Sequence, residues 1–511
     1  MLQKEFLRTS LRFIVETTRR CLKPKKYKSI KFLCDYLGDD VIMNEKARLI
    51  QNKKVSHICT IHSKYFPGKN ACLVYTNPVY GIGDLTNDAK SAIQRGSMVL
   101  ITDKSFPEYP CIISKDPIKA YSMICRYYRE LQPKVIITAV TGSIGKTTTK
   151  NMIGEVYKTK YKTVYTEENT NTKTTIGFAV QHIPDWAEMM VQEVHEGEPN
   201  ETQWISQMLL PDVVVLTTID NSHYQFFGNT EKIIEECCSV TEYMSKSGIV
   251  IVNKDEFDRY DLLNHRKTIT VSTNSTDADF YASSIEVNND GLAFIVHINN
   301  TGERVRVKLN NIYARHNVIC AVYAFAAGYC QGLSIDAIVK GLSRYRTSGI
   351  RQNVIKTVDG IVLYIDCYNA VAKSMKSAIE ACDEIPVCGK RIAVLGDIAE
   401  VGDLSEGMHR DVISYVNDSK FDVLFIMGAE LKKAIECTPI RNSLQVLMFE
   451  DRDALAKRLS QIASRGDLIL FKASHASSLG ECIIKAWPNL EPTLSNTKRF
   501  KNFREICSLI H

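Results

Sequence analysis

A chain of 511 residues with 45% apolar and 24% charged residues is long enough for two to four globular domains, and no apolar stretch approaches the ~20 residues that span a bilayer. The net charge of +6 is concentrated near the start of the chain, which leaves a nearly neutral body and excludes the extended basic surface of a nucleic-acid-binding protein. The 16 cysteines contain no CxxC pair, which indicates reduced cytoplasmic thiols and excludes a disulfide framework or a zinc site.

Residues 1–28 form a basic arm. Apolar residues recur at near-helical spacing over 2–22, and nine lysines and arginines in the arm outnumber its two glutamates. Such an amphipathic helix can lie on an anionic membrane or dock on a protein partner, and it can equally pack on its own protein with a solvated basic face. The arm lacks a small-residue cleavage site, so we expect no signal peptide and a cytoplasmic location.

Strands and helices are mixed over 29–133, where we expect an N-terminal domain. Short apolar runs predict strands at 71–75 and 97–102, and the segment between them predicts a helix over 87–95.

Strands and helices then alternate regularly over 134–351. The predicted strands are 135–140, 189–194, 213–218 and 249–253. This alternation is typical of a parallel, doubly wound sheet whose ligands bind beyond the carboxyl ends of the strands. An antiparallel stretch follows over 279–309, with an Asn-Asn-Asp-Gly turn at 288–291, and two further helices are predicted at 315–329 and 335–342.

The most informative segment reads IITAVTGSIGKTTTK at 136–150, a β-branched run followed by a glycine-containing turn and a helix. Backbone N–H groups at such a turn bind phosphate oxygens. Lys146 can reach the β- and γ-phosphates of ATP, and the Thr147 hydroxyl can ligate Mg²⁺. The general nucleotide-loop pattern has a further glycine where this chain has Val140. The predicted nucleotide-binding residues of this segment are Gly142, Ser143, Gly145, Lys146, Thr147 and Thr148.

A second α/β run over 352–487 predicts a separate C-terminal domain with a parallel sheet. Its predicted elements are strands 361–365, 391–395, 423–426 and 468–471 and helices 372–383 and 405–418. Residues 488–511 contain two prolines and a short basic helix and are predicted to be a tail.

The nucleotide loop TGSIGKTTT is followed along the chain by the segments EVHEG, NSHYQFFG, ARHNV, DCYNA and VLGDIAEVGD. In this order, the six segments resemble the Mur ligase family over about 35–487. Each segment alone is a weak signal, but their shared order and spacing are improbable by chance. The resemblance is strongest to the branch that adds D-alanyl-D-alanine to a UDP-N-acetylmuramoyl-tripeptide in cell-wall synthesis. It implies an α/β, three-domain architecture, with a UDP-substrate-type N-terminal domain, a central P-loop parallel sheet and a C-terminal Rossmann-like ligase domain.

Mur ligases join a carboxylate to an amine, so the resemblance implies ATP and Mg²⁺ as cofactors. The carboxylate takes the γ-phosphoryl group to give an acyl phosphate, and the amine then displaces phosphate. The implied partners are a UDP-sugar-peptide-like carboxylate and an amino acid or dipeptide amine. Water must be kept from the acyl phosphate, and closure of the C-terminal domain can exclude it.

The resemblance also assigns roles to single residues by motif position. The implied catalytic residues are Lys146, Glu193 and His223, and the implied Mg²⁺ site consists of Thr147, Glu193 and His223. Asn317 corresponds to an asparagine that reads adenine, and Arg351, Asp366 and Asn369 correspond to residues that meet the nucleotide. Residues implied in substrate binding are Asn171, Lys472, Ser474 and His475.

This chain departs from the family pattern at several positions. The family's carbamate-bearing lysine corresponds to Cys237, and a thiol cannot form that carbamate. Glu235 and Glu236 are near in sequence, but helical geometry turns their side chains away from the required direction. The second asparagine of the adenine motif is Cys320, and His475 stands where the family has an arginine.

Two alternatives to cell-wall synthesis remain open from the sequence. The chain could be a diverged Mur-type ligase that acts on a carboxylate outside peptidoglycan, as polyglutamate-forming relatives do. It could also be a non-catalytic nucleotide-binding regulator or scaffold that reaches a partner through its basic arm. A requirement for both a carboxylate and an amine in phosphate release from ATP distinguishes a ligase from a regulator.

Overall fold

The computed structural model describes residues 28–490 except 56–57, 61–70, 75–89, 91–92, 95, 167–169, 221–223, 264, 289, 348–349, 369, 400 and 475–476. The predicted basic arm apart from Lys28, most of the predicted helix over 87–95 and the tail beyond 490 lie outside the described residues. No helix of the described residues is both long and apolar enough to cross a bilayer.

The N-terminal part is built on a five-stranded sheet of order β2-β7-β6-β5-β4, in which only the β2–β7 pair is antiparallel. The predicted strand at 97–102 is confirmed, and so are the described residues 71–74 of the strand predicted at 71–75. The strands are β1 Lys28–Ser29, β2 Val41–Met43, β3 Lys54–Val55, β4 Ile58–Thr60, β5 Ala71–Val74, β6 Ser97–Thr102 and β7 Cys111–Ser114. The helices are α1 Ile30–Leu37, α2 Glu45–Leu49 and α3 Pro117–Glu130. Helix α3 begins after Asp116, whose carboxylate accepts the Lys119 N–H.

A nine-stranded sheet of order β16-β15-β14-β13-β12-β11-β8-β10-β9 forms the centre of the chain. Its strands are β8 Ile136–Thr141, β9 Thr163–Tyr165, β10 Met189–Glu193, β11 Val213–Leu216, β12 Ile249–Asn253, β13 Lys267–Ser272, β14 Phe280–Asn288, β15 Gly291–Ile298 and β16 Glu303–Asn310. The helices are α4 Lys146–Tyr157, α5 Lys173–Gln181, α6 Glu201–Leu209, α7 Tyr224–Phe227, α8 Thr230–Cys238, α9 Asn317–Cys330 and α10 Ile335–Arg344. The four predicted parallel strands and the antiparallel stretch are confirmed, and the antiparallel strands extend the same sheet.

The C-terminal part carries a six-stranded sheet of order β17-β18-β22-β19-β20-β21, parallel except for the edge strand β17. Its strands are β17 Asn353–Lys356, β18 Val362–Asp366, β19 Arg391–Gly396, β20 Val423–Met427, β21 Gln445–Phe449 and β22 Leu468–Lys472. Its helices are α11 Ala372–Glu384, α12 Ser405–Asn417, α13 Ala429–Glu436, α14 Arg452–Ile462 and α15 Leu479–Ala486. Single 3₁₀ turns span Gly38–Asp40, Ser239–Thr241, Tyr260–Leu263, Gly402–Leu404 and Pro488–Leu490.

Each of the three larger sheets packs its own buried apolar clusters, so the chain has the predicted three-domain α/β architecture. The first two domains are tied by buried polar contacts. Arg129 of α3 is 5% exposed and donates to the carbonyl oxygens of Leu209 (2.9 Å) and Val135 (3.0 Å). The Tyr121 hydroxyl donates to the carbonyl oxygen of Thr174 (2.9 Å). The domain limits proposed from the sequence remain predictions.

Candidate functional site

The turn after β8 lies at the centre of the middle sheet, because β8 pairs in parallel with both β10 and β11. Gly142 has φ of +123°, and a Cβ there would lie 2.4 Å from Thr217 Oγ1 and 2.9 Å from the Thr217 carbonyl oxygen. The N–H groups of Ser143 and Ile144 donate to the carbonyl oxygen of Thr218 at 2.8 and 3.0 Å. The turn is therefore held against the end of β11 at a distance that only glycine allows.

Helix α4 begins directly after this turn, with Gly145 as its left-handed N-cap. Among the described residues no side chain caps this helix, so N–H groups of its first turn remain available for an anion. The helix dipole adds positive potential at the same point. This end of α4 is chemically suited to phosphate oxygens.

Lys146, the first residue of α4, points its ammonium group toward the loop that follows β10. The Nζ atom donates to Glu196 Oε1 at 2.8 Å and to the Gly142 carbonyl oxygen. Glu196 is fully buried, and its Oε2 atom has no hydrogen-bond partner in the described part of the chain. The sequence reasoning missed Glu196, although it lies in the EVHEG segment three residues after Glu193.

Glu193 ends β10 and lies beside the turn because it is in register with Val140 of β8. Its carboxylate accepts hydrogen bonds from the Thr147 hydroxyl (2.7 Å) and the Asn171 amide (3.0 Å). Burial opposes ionisation of this side chain, but the charges of Lys150, Arg351 and Lys146 outweigh burial and lower the pKa of Glu193 to about 2. Glu193 is therefore an anion at neutral pH, held against the first turn of α4.

Arg351 brings the C-terminal part of the chain to the same turn. Its Nη1 atom donates to Thr147 Oγ1 at 3.0 Å across 204 residues of sequence. The guanidinium carbon lies 3.3 Å from the centre of the Tyr368 ring, and this stacking fixes its orientation. A second bridge joins Lys373 to Glu256 at 2.6 Å, and Glu256 also accepts from the Thr218 hydroxyl.

The amide nitrogen of Asn317 is already hydrogen-bonded within the protein, so this side chain is not fully available to read a base. It is 1% exposed, and its Nδ2 atom donates to the Ala314 carbonyl oxygen (3.1 Å) and to Gln352 Oε1 (2.9 Å). Only its Oδ1 atom is left to accept from an adenine amine. The neighbouring His316 is held neutral, since burial lowers its pKa to about 4.

Asp366 and Lys472 end adjacent parallel strands and pair in register. Their side chains form an ion pair of 2.9 Å in which Lys472 is 1% exposed. The Ser474 hydroxyl donates to the Asp397 carbonyl oxygen at 2.9 Å. In this arrangement the predicted nucleotide residue Asp366 and the predicted substrate residues Lys472 and Ser474 are bound to other parts of the domain.

Of the remaining predicted site residues, His223, Asn369 and His475 lie outside the described residues. Thr148 is half-buried in the first turn of α4, next to Thr147. Cys320 lies under the turn, because a Cβ on Gly145 would come within 3.1 Å of its Sγ atom. Burial raises the pKa of Cys320 to about 11, so this thiol is neutral.

The structure shows whether Glu235 or Glu236 lies where the family's carbamate group would be, next to Cys237. Glu235 is exposed, and Glu236 accepts the N–H groups of Asn200 and Thr202 (both 2.7 Å) at the start of α6. Neither carboxylate substitutes for a group at Cys237, as helical geometry predicted. Burial and then the charge of Glu196 raise the pKa of the fully buried Cys237 thiol far above its usual range.

Comparison with known proteins gives consistent results for sequence and fold. The family model for the Mur ligase middle domain matches residues 140–328, and the model for the Mur ligase, glutamate ligase domain matches 350–475. The UDP-N-acetylmuramoyl-tripeptide–D-alanyl-D-alanine ligase of Bacillus subtilis is 31% identical over 403 residues, which cover 77% of this chain and 86% of that protein. The Escherichia coli enzyme of the same name is 25% identical and covers 78% and 87%.

Solved structures show the same fold. MurF from Acinetobacter baumannii superposes with a TM-score of 0.79 at 21% identity, covering 91% of this chain and 99% of that one. The MurF ligase of Thermotoga maritima in complex with ADP superposes with a TM-score of 0.72 at 21% identity, covering 85% and 98%.

Proposed function

The chain belongs to the Mur ligase family, and we propose that it is an ATP-dependent ligase that joins D-alanyl-D-alanine to the carboxylate of a UDP-N-acetylmuramoyl-tripeptide. The observation that carries this proposal is the convergence of Lys146, Thr147, Glu193 and Arg351 at one helix N-terminus. The amine and carboxylate are those in the names of the relatives.

Phosphoryl transfer needs positive groups because both ATP and the attacking carboxylate are anions. The Lys146 ammonium, the free N–H groups of α4 and the Arg351 guanidinium supply them. The carboxylate oxygen attacks the γ-phosphorus, and ADP leaves. The amine nitrogen then attacks the acyl carbon, phosphate leaves, and the nitrogen loses a proton as the amide forms.

Thr147 and Glu193 would hold the Mg²⁺ ion that this chemistry requires. The ionised Glu193 carboxylate and the Thr147 hydroxyl lie within 2.7 Å of one another and are the oxygen ligands that Mg²⁺ prefers. When bound, the ion neutralises charge on the transferred phosphoryl group. Arg351 and Lys373 would keep the C-terminal domain against the site and so limit the access of water to the acyl phosphate.

The test is a phosphate-release assay with ATP, UDP-N-acetylmuramoyl-tripeptide and D-alanyl-D-alanine, each omitted in turn. Release that requires all three supports the proposal, and release with a different carboxylate and amine supports a Mur-type ligase outside peptidoglycan. The observation that favours this second candidate is Cys237, which stands where the family has its carbamate-bearing lysine. Release that depends on neither substrate, or no release at all, would favour the regulator.

A matched pair of variants tests the role of Lys146. Lys146→Ala removes the group nearest the expected phosphates, so turnover should fall below detection while the circular dichroism spectrum remains that of the folded protein. Lys158→Ala changes an exposed lysine of the same segment, which pairs with Glu155, and should leave turnover unchanged. Equal turnover of the two variants would contradict the proposed mechanism.

A further inference from the structure

Glu196 is a buried carboxylate at the nucleotide turn whose second oxygen is unsatisfied. Its side chain is fully buried, Oε1 is 2.8 Å from Lys146 Nζ, and Oε2 has no partner in the described part of the chain. A buried charged oxygen without a partner carries a substantial free-energy penalty. Such an atom indicates a ligand that completes its coordination.

From this geometry we propose that Glu196 is a ligand of a divalent cation that enters together with the nucleotide. This inference rests on the proposed function, because it requires that Lys146 bind the phosphates of ATP. It adds a residue that neither the sequence motifs nor the names of the relatives assign.

The main physical reason for a cation at Glu196 is that the Glu196 carboxylate and the nucleotide phosphates compete for the Lys146 ammonium group. Without nucleotide, the ammonium of Lys146 is the only hydrogen-bond donor to the Glu196 carboxylate among the described residues. When Lys146 turns to the phosphates, Glu196 loses that donor and becomes a buried anion next to other anions. A cation bound between the Glu196 carboxylate and the phosphates removes both the repulsion and the unsatisfied oxygen.

The Glu196 carboxylate and the phosphate oxygens of the nucleotide are donors that suit a hard divalent cation. Within the described residues, no group of three or more His, Cys, Asp or Glu side chains forms a ready-made metal site. Mg²⁺ commonly takes one or two carboxylates together with phosphate oxygens and water. The nearby Cys237 thiol is neutral and soft, so it does not compete as a ligand for such an ion.

The experiment measures how strongly metal and nucleotide binding are coupled. ADP affinity is determined by calorimetry with and without Mg²⁺ for the wild type, Glu196→Gln and the control Glu198→Gln. Glu198 lies on the same loop but pairs with Lys173 at 2.8 Å and is partly exposed. In Glu196→Gln, metal-free ADP should bind about tenfold more tightly, and the gain from Mg²⁺ should fall about tenfold.

A second measurement does not depend on nucleotide affinity. Titration with Mn²⁺ in the presence of ADP, followed by electron paramagnetic resonance, should show weaker Mn²⁺ binding to Glu196→Gln than to Glu198→Gln. If Glu196→Gln does not fold, the conservative Glu196→Asp variant takes its place, and its shorter side chain should also weaken Mn²⁺ binding.

The outcomes separate this inference from the proposed function. Tighter metal-free binding with an unchanged gain from Mg²⁺ would show that Glu196 only competes for Lys146, which overturns the cation role. Unchanged Mn²⁺ affinity would overturn it as well. A wild-type chain that binds no nucleotide would overturn the proposed function, and this inference with it.

Discussion

Replacement of Glu193 by glutamine should destabilise the nucleotide-free protein by an amount that depends on pH. A pKa of about 2 in place of the ordinary 4.5 means that the folded state favours the ionised form by about 3 kcal/mol. Glutamine keeps the size of the side chain but resembles the protonated acid. At pH 7 the free energy of unfolding of Glu193→Gln should therefore be lower than that of the wild type by about 3 kcal/mol.

The sign of the pH dependence follows from the lowered pKa. The stabilisation is complete above the unfolded-state pKa near 4.5 and is lost as the pH falls through the folded-state value near 2. At pH 3 the difference between variant and wild type should shrink to roughly 1.4 kcal/mol.

Urea unfolding followed by tryptophan fluorescence is a suitable assay, because Trp186 and Trp204 both lie in the central part of the chain. Glu198→Gln is the matched control, and the loss of its partly exposed pair with Lys173 should cost less than about 1 kcal/mol. Equal stability of Glu193→Gln and wild type at pH 7, or a difference that does not shrink toward pH 3, would refute the assigned electrostatics.

Two further substitutions test the geometry of the turn and of the C-terminal sheet. Gly142→Ala should weaken ADP binding at least about tenfold, because Gly142 has a positive φ and a Cβ there would collide with Thr217. The control Gly302→Ala should leave ADP binding unchanged, because Gly302 also has a positive φ but its Cβ would enter open space. Equal ADP affinity of both variants would contradict the close approach at Gly142. Asp366→Asn removes the carboxylate that pairs with the buried Lys472 and should cost about 3–5 kcal/mol in urea unfolding. The exposed pair of Asp453 with Lys485 provides the control Asp453→Asn, which should unfold in urea like the wild type. An equally small effect of Asp366→Asn would show that Lys472 is not effectively buried.

The sequence by itself determined the local features of this protein. Strand β8, the glycine turn and the start of α4 are contiguous, so the β-branched run and the two glycines were sufficient to predict them, and the structure shows both glycines at positive φ. The alternation of strands and helices likewise predicted parallel sheets, because buried parallel strands are continuous apolar runs. The short edge strand β9 was missed since its three residues carry no such run.

Only the tertiary structure decided which side chains meet. The pairing of β8 with β10 brings Glu193 and Glu196 to the turn, and docking of the C-terminal part brings Arg351 to Thr147. The same docking commits the Asn317 amide to Gln352. Periodicity along a chain reports which face of an element is buried, but strand order and domain docking set the distances between residues far apart in sequence.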